Sequence, residues 1–159
     1  MGMAARRPSL HDTQAYRTVT TVRHVARAAG STGAGTPAYR VDIRVDRHQL
    51  TADEPAAAGG GDVGPSPFGL LLSALVACTA TTLRMYATRK GWELATLDVE
   101  VRYDVGDDGR TGIERTITVP ADLGPDHRHL LAEIAERTPV TVALRAGTPI
   151  TTTFQPGAT

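Results

Sequence analysis

Gly64-Pro-Ser-Pro-Phe-Gly-Leu-Leu-Leu-Ser-Ala-Leu-Val-Ala-Cys-Thr-Ala-Thr-Thr-Leu-Arg-Met-Tyr-Ala87 reads as one long helix around which the rest of the chain must be arranged. Ser66 is suited to the N-cap, where its hydroxyl can accept from a free amide of the first turn. Pro67 then fits the first helical position, which needs no amide hydrogen. From Phe68 to Leu83 there is no charged residue, and charge returns only at Arg84, Arg89 and Lys90. Gly91 is a natural stop. Leu71, Leu75, Cys78, Thr82 and Met85 share one face, and Leu72, Val76, Leu83 and Ala87 line another. A helix apolar on most sides is expected to be buried on most sides. A membrane span is the rival reading. The uncharged run rises only about 24 Å, short of the ~30 Å hydrocarbon core, and Ser73, Thr79, Thr81 and Thr82 make it polar. A central core helix fits better.

Working outward, 159 residues suit a single domain with a sizeable core. The first fifteen are polar and unpatterned and are expected to be disordered, which leaves residues 16–159 as the domain. The formal net charge is zero, which gives no electrostatic support to a nucleic-acid or anionic-membrane partner. A single cysteine excludes an intrachain disulfide and a Cys-rich metal site. Nothing in the composition calls for a cofactor. The N-terminal residues contain no apolar signal-like run, so a cytoplasmic location is expected.

Strands flank the helix. Tyr16–Ala26 is rich in β-branched residues and reads as a first strand, followed by a loop over 29–37. Tyr39, Val41, Ile43 and Val45 alternate with Arg40, Asp42, Arg44 and Asp46 as a second strand with one wet face, paired with the first. His48 to Pro67 reads as a flexible connection. Its three glycines at 59–61 are followed by neither Gly-Lys-Ser/Thr nor a Gly-x-Gly-x-x-Gly helix start, so a phosphate loop is set aside. Beyond the helix, Leu97–Val105 and Ile113–Val119 alternate about the turn Gly106–Gly109 as a hairpin. Gly124-Pro125 opens a second helix with the stripe Leu130, Leu131, Ile134 and Ala135, and Pro139 is expected to end or kink it. Val140–Arg145 is open between helix and strand, and Ile150–Phe154 reads as a last strand. The order is α+β with antiparallel sheets.

Ala52-Asp-Glu-Pro55, Gly60-Gly-Asp-Val-Gly-Pro-Ser-Pro67, Leu70–Thr79, Thr82–Ala87, Arg89-Lys-Gly-Trp92 and Leu131–Leu144 together resemble the OsmC/Ohr family over roughly residues 38–154. The resemblance implies an OsmC-like fold: an intertwined homodimer with two long buried helices packed against antiparallel β-sheets and each active site at the subunit interface. It also implies reduction of small-molecule hydroperoxides, organic ones above all, in oxidative stress defence, with Cys78 as the attacking thiol. Three departures stand out. Thr138 occupies the place of the family's resolving cysteine. Gly69 replaces a glutamate, for which Glu54 is the candidate substitute. No residue matches the family's activating arginine by motif, and Arg47 is the candidate by position alone.

A thiolate is the nucleophile such chemistry needs. Cys78 lies too far along its helix to be helped by the N-terminal dipole, so a cation must come from elsewhere. Three readings stay open. The first is a one-cysteine peroxidase, oxidised to sulfenic acid and recycled by an external thiol reductant. The second is a non-catalytic module holding a small apolar molecule at the dimer interface. The third is a structural homologue in which Cys78 is a buried hydrophobe. His127 and His129, two apart on a helix, point to different sides and make a poor metal pair.

Overall fold

A computed structural model gives the architecture and describes residues 26–30 and 38–156. The first fifteen residues, and all of the expected first strand before Ala26, lie outside them. The helix α1 spans Pro67–Lys90. The Ser66 hydroxyl accepts from the Gly69 amide at 3.1 Å. At the far end Gly91 takes the left-handed conformation, φ 70°. Its amide and that of Trp92 close onto the Thr88 and Ala87 carbonyls. Arg89 and Lys90 in the last turn meet the negative end of the helix dipole.

Three antiparallel strands precede α1, in the order β1 (Ala26–Gly30), β2 (Val41–Val45) and β3 (His48–Ala52). β1 pairs along β2 from Ala26 with Val45 to Gly30 with Val41. Ala29 and Gly30 therefore belong to a strand and not to the expected loop. β3 is a second correction, since His48–Ala52 was expected to be unstructured. A two-residue turn, Asp46-Arg47, folds it back onto β2. Asp46 adopts φ 53° there, a conformation aspartate tolerates better than most residues. The alternation is weak in His-Gln-Leu-Thr-Ala, and the pairing with β2 supplies what the pattern lacks.

The stretch between β3 and α1 is organised, not flexible. Asp53 is buried. Its carboxylate accepts from the amides of Glu54 and Gly61, both at 2.9 Å, and of Val63 at 3.3 Å. Residues 60 and 64 must be glycine because the loop closes tightly. A Cβ on Gly60 would lie 1.8 Å from the Glu54 carbonyl oxygen, and one on Gly64 would lie 2.3 Å from that of Thr51. The glycine run thus wraps a carboxylate belonging to the protein and delivers Ser66 to its capping position.

After α1 come the hairpin strands β4 (Asp98–Val105) and β5 (Thr111–Thr118). The helices α2 (Pro125–Ala135) and α3 (Pro139–Ala146) follow. Val140–Arg145 is therefore helical. Pro139 begins α3 at its first position instead of kinking α2. Ile150–Phe154 forms no strand among the described residues, and Ile150 and Phe154 are 89% and 95% exposed. A β-prone sequence becomes a strand only where an edge is free beside it, and no edge among the described residues takes it up.

The fold class is α+β with antiparallel sheets, as expected. α1 packs against β4, α2 and α3. Its inward row is Leu75, Thr79, Leu83 and Ala87. Leu83, Leu123, Leu131 and Ala135 form the core, with Trp92, Leu97 and Ile117 against them. Burial on most sides does not follow within one chain. Phe68, Leu71 and Met85 remain exposed, Phe68 at 54%, because one hairpin and two short helices cover one face only. By length and composition α1 could cross a membrane, yet its inward row is packed as a core helix. Among the described residues, none of the main packing contacts of the helices reaches the three-stranded sheet.

Candidate functional site

Cys78 sits on α1 beside the inward row. It is three residues beyond Leu75 and one before Thr79, both buried. At 100° per residue it falls about 60° outside Leu75 and about 20° from each of the exposed Leu71 and Met85. It thus lies on the bare side near its seam with the covered face, and it is partly exposed as a free thiol. The covered side of that seam is polar. Thr79 is fully buried, and its hydroxyl donates to the Leu75 carbonyl at 2.8 Å. Arg115 reaches it from β5. Its Nη1 donates to Thr79 Oγ1 at 3.1 Å and to Thr141 Oγ1 at 2.9 Å, and its Nη2 donates to Glu136 Oε1 at 3.0 Å. The Arg115 side chain is only 10% exposed. Arg145 pairs with the other oxygen of Glu136.

Thr138 closes the cluster. It is buried at the N-cap of α3, and its hydroxyl lies 2.7 Å from that of Thr141. One guanidinium thus joins α1, α3 and the α2–α3 corner, with every hydroxyl partnered. Thr138 lies one hydrogen bond from Thr141, which shares the Arg115 guanidinium with Thr79, the residue after Cys78.

The other expected residues lie elsewhere. Arg47 occupies the exposed β2–β3 turn, and Glu54 sits in the Asp53 loop, where its carbonyl accepts from Asp62. Among the described residues, no hydrogen bond or ion pair joins either to Cys78. At Gly69 an added Cβ would meet Ser66 Oγ and Pro65 Cβ at 3.4 and 3.5 Å, ordinary contacts, so the backbone does not demand glycine. His127 stacks on Trp92, ring centroids 3.9 Å apart.

Arg115 is the residue that reading the sequence missed. The signal was there: β5 turns Ile113 and Ile117 toward the helices, and 115 shares their parity. An arginine in phase with two isoleucines is an inward-facing cation, and it had to find partners.

The sequence model of the family described as OsmC-like protein matches residues 59–153, more than half of the chain. The chain belongs to the OsmC-like family. The match takes in α1, the hairpin and both later helices, and so includes Cys78, Arg115 and Thr138. Solved structures of OsmC and organic hydroperoxide resistance proteins share the fold. An OsmC-like protein from Mycoplasma pneumoniae is 19% identical, with 79% of this chain and 89% of that chain covered and a TM-score of 0.64. An organic hydroperoxide resistance protein OsmC from Legionella pneumophila is 19% identical over 78% and 90%, TM-score 0.58. The organic hydroperoxide resistance protein OhrB of Bacillus subtilis is 22% identical over 80% and 93%, TM-score 0.54. No curated protein matches the chain. Within the matched segment, this chain carries its single cysteine on α1 and a hydrogen-bonded threonine at position 138.

Proposed function

We propose that this OsmC-like protein is a one-cysteine hydroperoxide reductase that works as a cytoplasmic homodimer. The observation that carries the reading is the place of Cys78: the sole thiol, partly exposed, on α1 one residue before the Thr79 that a buried guanidinium holds. The family and the names of its structural neighbours supply the reaction class. The Cys78 thiolate attacks an oxygen of ROOH. The O–O bond breaks, ROH leaves with a proton, and a sulfenic acid remains on Sγ. An external thiol then attacks that sulfur, releasing water and forming a mixed disulfide. A second external thiol restores Cys78 and leaves as the disulfide of the reductant.

A second copy is the natural cover for the bare side of α1, where Phe68 and Met85 are exposed, and for the three-stranded sheet, which none of the main contacts of the helices reaches. In this reading Arg47 and Glu54 act as cation and carboxylate when the sheet docks across the dimer. Arg115 is the competing cation, held through Thr79 beside the thiol-bearing turn. Sedimentation should give a dimer at micromolar concentration; a stable, folded monomer would remove the interface on which the reading depends.

Turnover of an organic hydroperoxide with a dithiol reductant tests the chemistry. The wild type should consume peroxide and Cys78→Ser should not, with thermal unfolding unchanged between them. Equal rates would leave Cys78 without a catalytic role. Arg47→Met and Arg115→Met, assayed side by side, show which arginine serves the thiol.

A further inference from the structure

A cavity of about 570 Å³ opens between the tip half of the β4–β5 hairpin, the first half of α1 and α3. Leu71, Leu75, Tyr103, Ile113 and Leu144 form its apolar wall. Arg115, Arg145 and Glu136 line it together with Thr141. Cys78 is not among its lining residues.

Its volume lies within the range of small-molecule sites, and an apolar wall with a few convergent polar groups is their usual make-up. Its charge is lopsided. Two guanidinium groups share one carboxylate, so the polar part carries one positive charge in excess. Arg115 is fixed by two buried hydroxyls. Arg145 is different: it pairs with Glu136 from a side chain that is largely exposed. It can therefore turn from Glu136 toward an incoming anion while Arg115 holds its place, and a planar guanidinium suits a carboxylate in two-point contact.

The geometry points to a binding site for an amphipathic carboxylate, with its acid head on Arg145 at the Glu136–Arg115 edge and its aliphatic or aromatic body along Leu75, Tyr103 and Leu144. The site needs neither a lining role for Cys78 nor a redox step, although Arg115, the competing cation of the thiol reading, also lines it.

The test is fluorescence titration of the full-length protein with dansylaminoundecanoic acid and with the corresponding primary alcohol, which has the same body and no charge. The acid should bind at least tenfold more tightly than the alcohol, as for a charge-assisted pair. Arg145→Gln should remove that preference, bringing the acid down to the alcohol's affinity. Ile113→Trp, which narrows the apolar wall, should weaken both probes. Circular dichroism melting of each variant separates loss of the site from loss of the fold. Equal binding of acid and alcohol by the wild type would overturn the proposal, as would an acid preference that survives Arg145→Gln. Peroxide turnover of the wild-type sample keeps the two claims apart: no acid preference with intact turnover refutes only the site, and an acid preference without turnover refutes only the thiol chemistry.

Discussion

Leu83 and Thr79 are one helical turn apart on α1, and both are fully buried, yet the two levels are built differently. At Leu83 the helix meets Leu123, Leu131 and Ala135 in an oily layer. At Thr79 it meets a guanidinium and, through Arg115, two more threonines and a glutamate. Stability alone explains the first level. It does not explain the second, since well-packed apolar residues hold such a place as well as a buried ion pair or better. The polar level is the one next to Cys78. The oily level of α1 secures the domain, and the polar level holds a particular hydrogen-bonded arrangement at the turn that carries Cys78.

The sharpest way to break the comparison is to damage the oily level. Leu83→Ala removes a fully buried side chain from the core and should cost about 2–5 kcal/mol of unfolding free energy, read by urea denaturation. A loss below about 1 kcal/mol would mean that the core does not centre on this level.

Arg115→Met comes next. It keeps an apolar stem and deletes the fork. Thr79 and Thr141 retain their own carbonyl acceptors, Leu75 and Ala135, so the expected loss is about 1–3 kcal/mol. Adding Thr79→Leu in the same background should recover part of it by turning the polar level into an oily one. A double variant weaker than Arg115→Met alone would show that the hydroxyls contribute independently of the arginine.

Thr138→Cys sharpens the comparison chemically. It exchanges the Thr138–Thr141 hydroxyl pair for a weaker thiol contact, at a cost of about 1 kcal/mol. If the position still faces the attacking thiol, peroxide should join Cys78 to the introduced thiol as a disulfide. Intact mass would show it as a loss of two hydrogens, provided the Cα atoms lie within about 7 Å. The variant should also resist over-oxidation. A gain of two or three oxygens, with no loss of two hydrogens, would show that the alignment with Cys78 is lost.

Smaller effects lie at the surface. Glu136→Gln removes the exposed end of the Arg115 chain and should cost less than about 1 kcal/mol, because solvent screens a half-exposed partner. Asp42 is a control remote from α1. Hydrogen bonds from Arg40 and then Thr51 hold its carboxyl below the usual carboxylate range. Its contribution is present above the ordinary carboxylate pKa and is lost as pH falls through the lowered one. Asp42→Asn should therefore alter only the acid limb of a stability profile, and slightly. A change near neutral pH would mean that Asp42 does more than hold the sheet surface.

The oily level was legible in the sequence because it is periodic. Ser66, Pro67, Gly91 and the run of uncharged residues between them announce the helix and its ends, and the alternation in 97–105 and 113–119 announces the hairpin. The polar level was not legible, since its parts come from positions 79, 115, 138 and 141 and each is ordinary by itself. Only the parity of Arg115 with Ile113 and Ile117 hinted at it. The Asp53 loop misled because glycines usually read as flexibility, whereas at 60 and 64 they mark close backbone approach. Val140–Arg145 was ambiguous because so short a run cannot separate the two periods. Ile150–Phe154 has a strand's composition without a strand's neighbour.

The central claim is that Cys78 is a peroxide-reactive thiol, and intact-mass spectrometry after brief exposure to one equivalent of an organic hydroperoxide, with a sulfenic-acid trap present, tests it most directly. The account predicts one trap adduct per chain on the wild type, none on Cys78→Ser, and sulfinic acid on Cys78 when the peroxide is in excess and the trap is omitted. A wild-type chain that stays unmodified at Cys78, or whose methionines oxidise first, would contradict it.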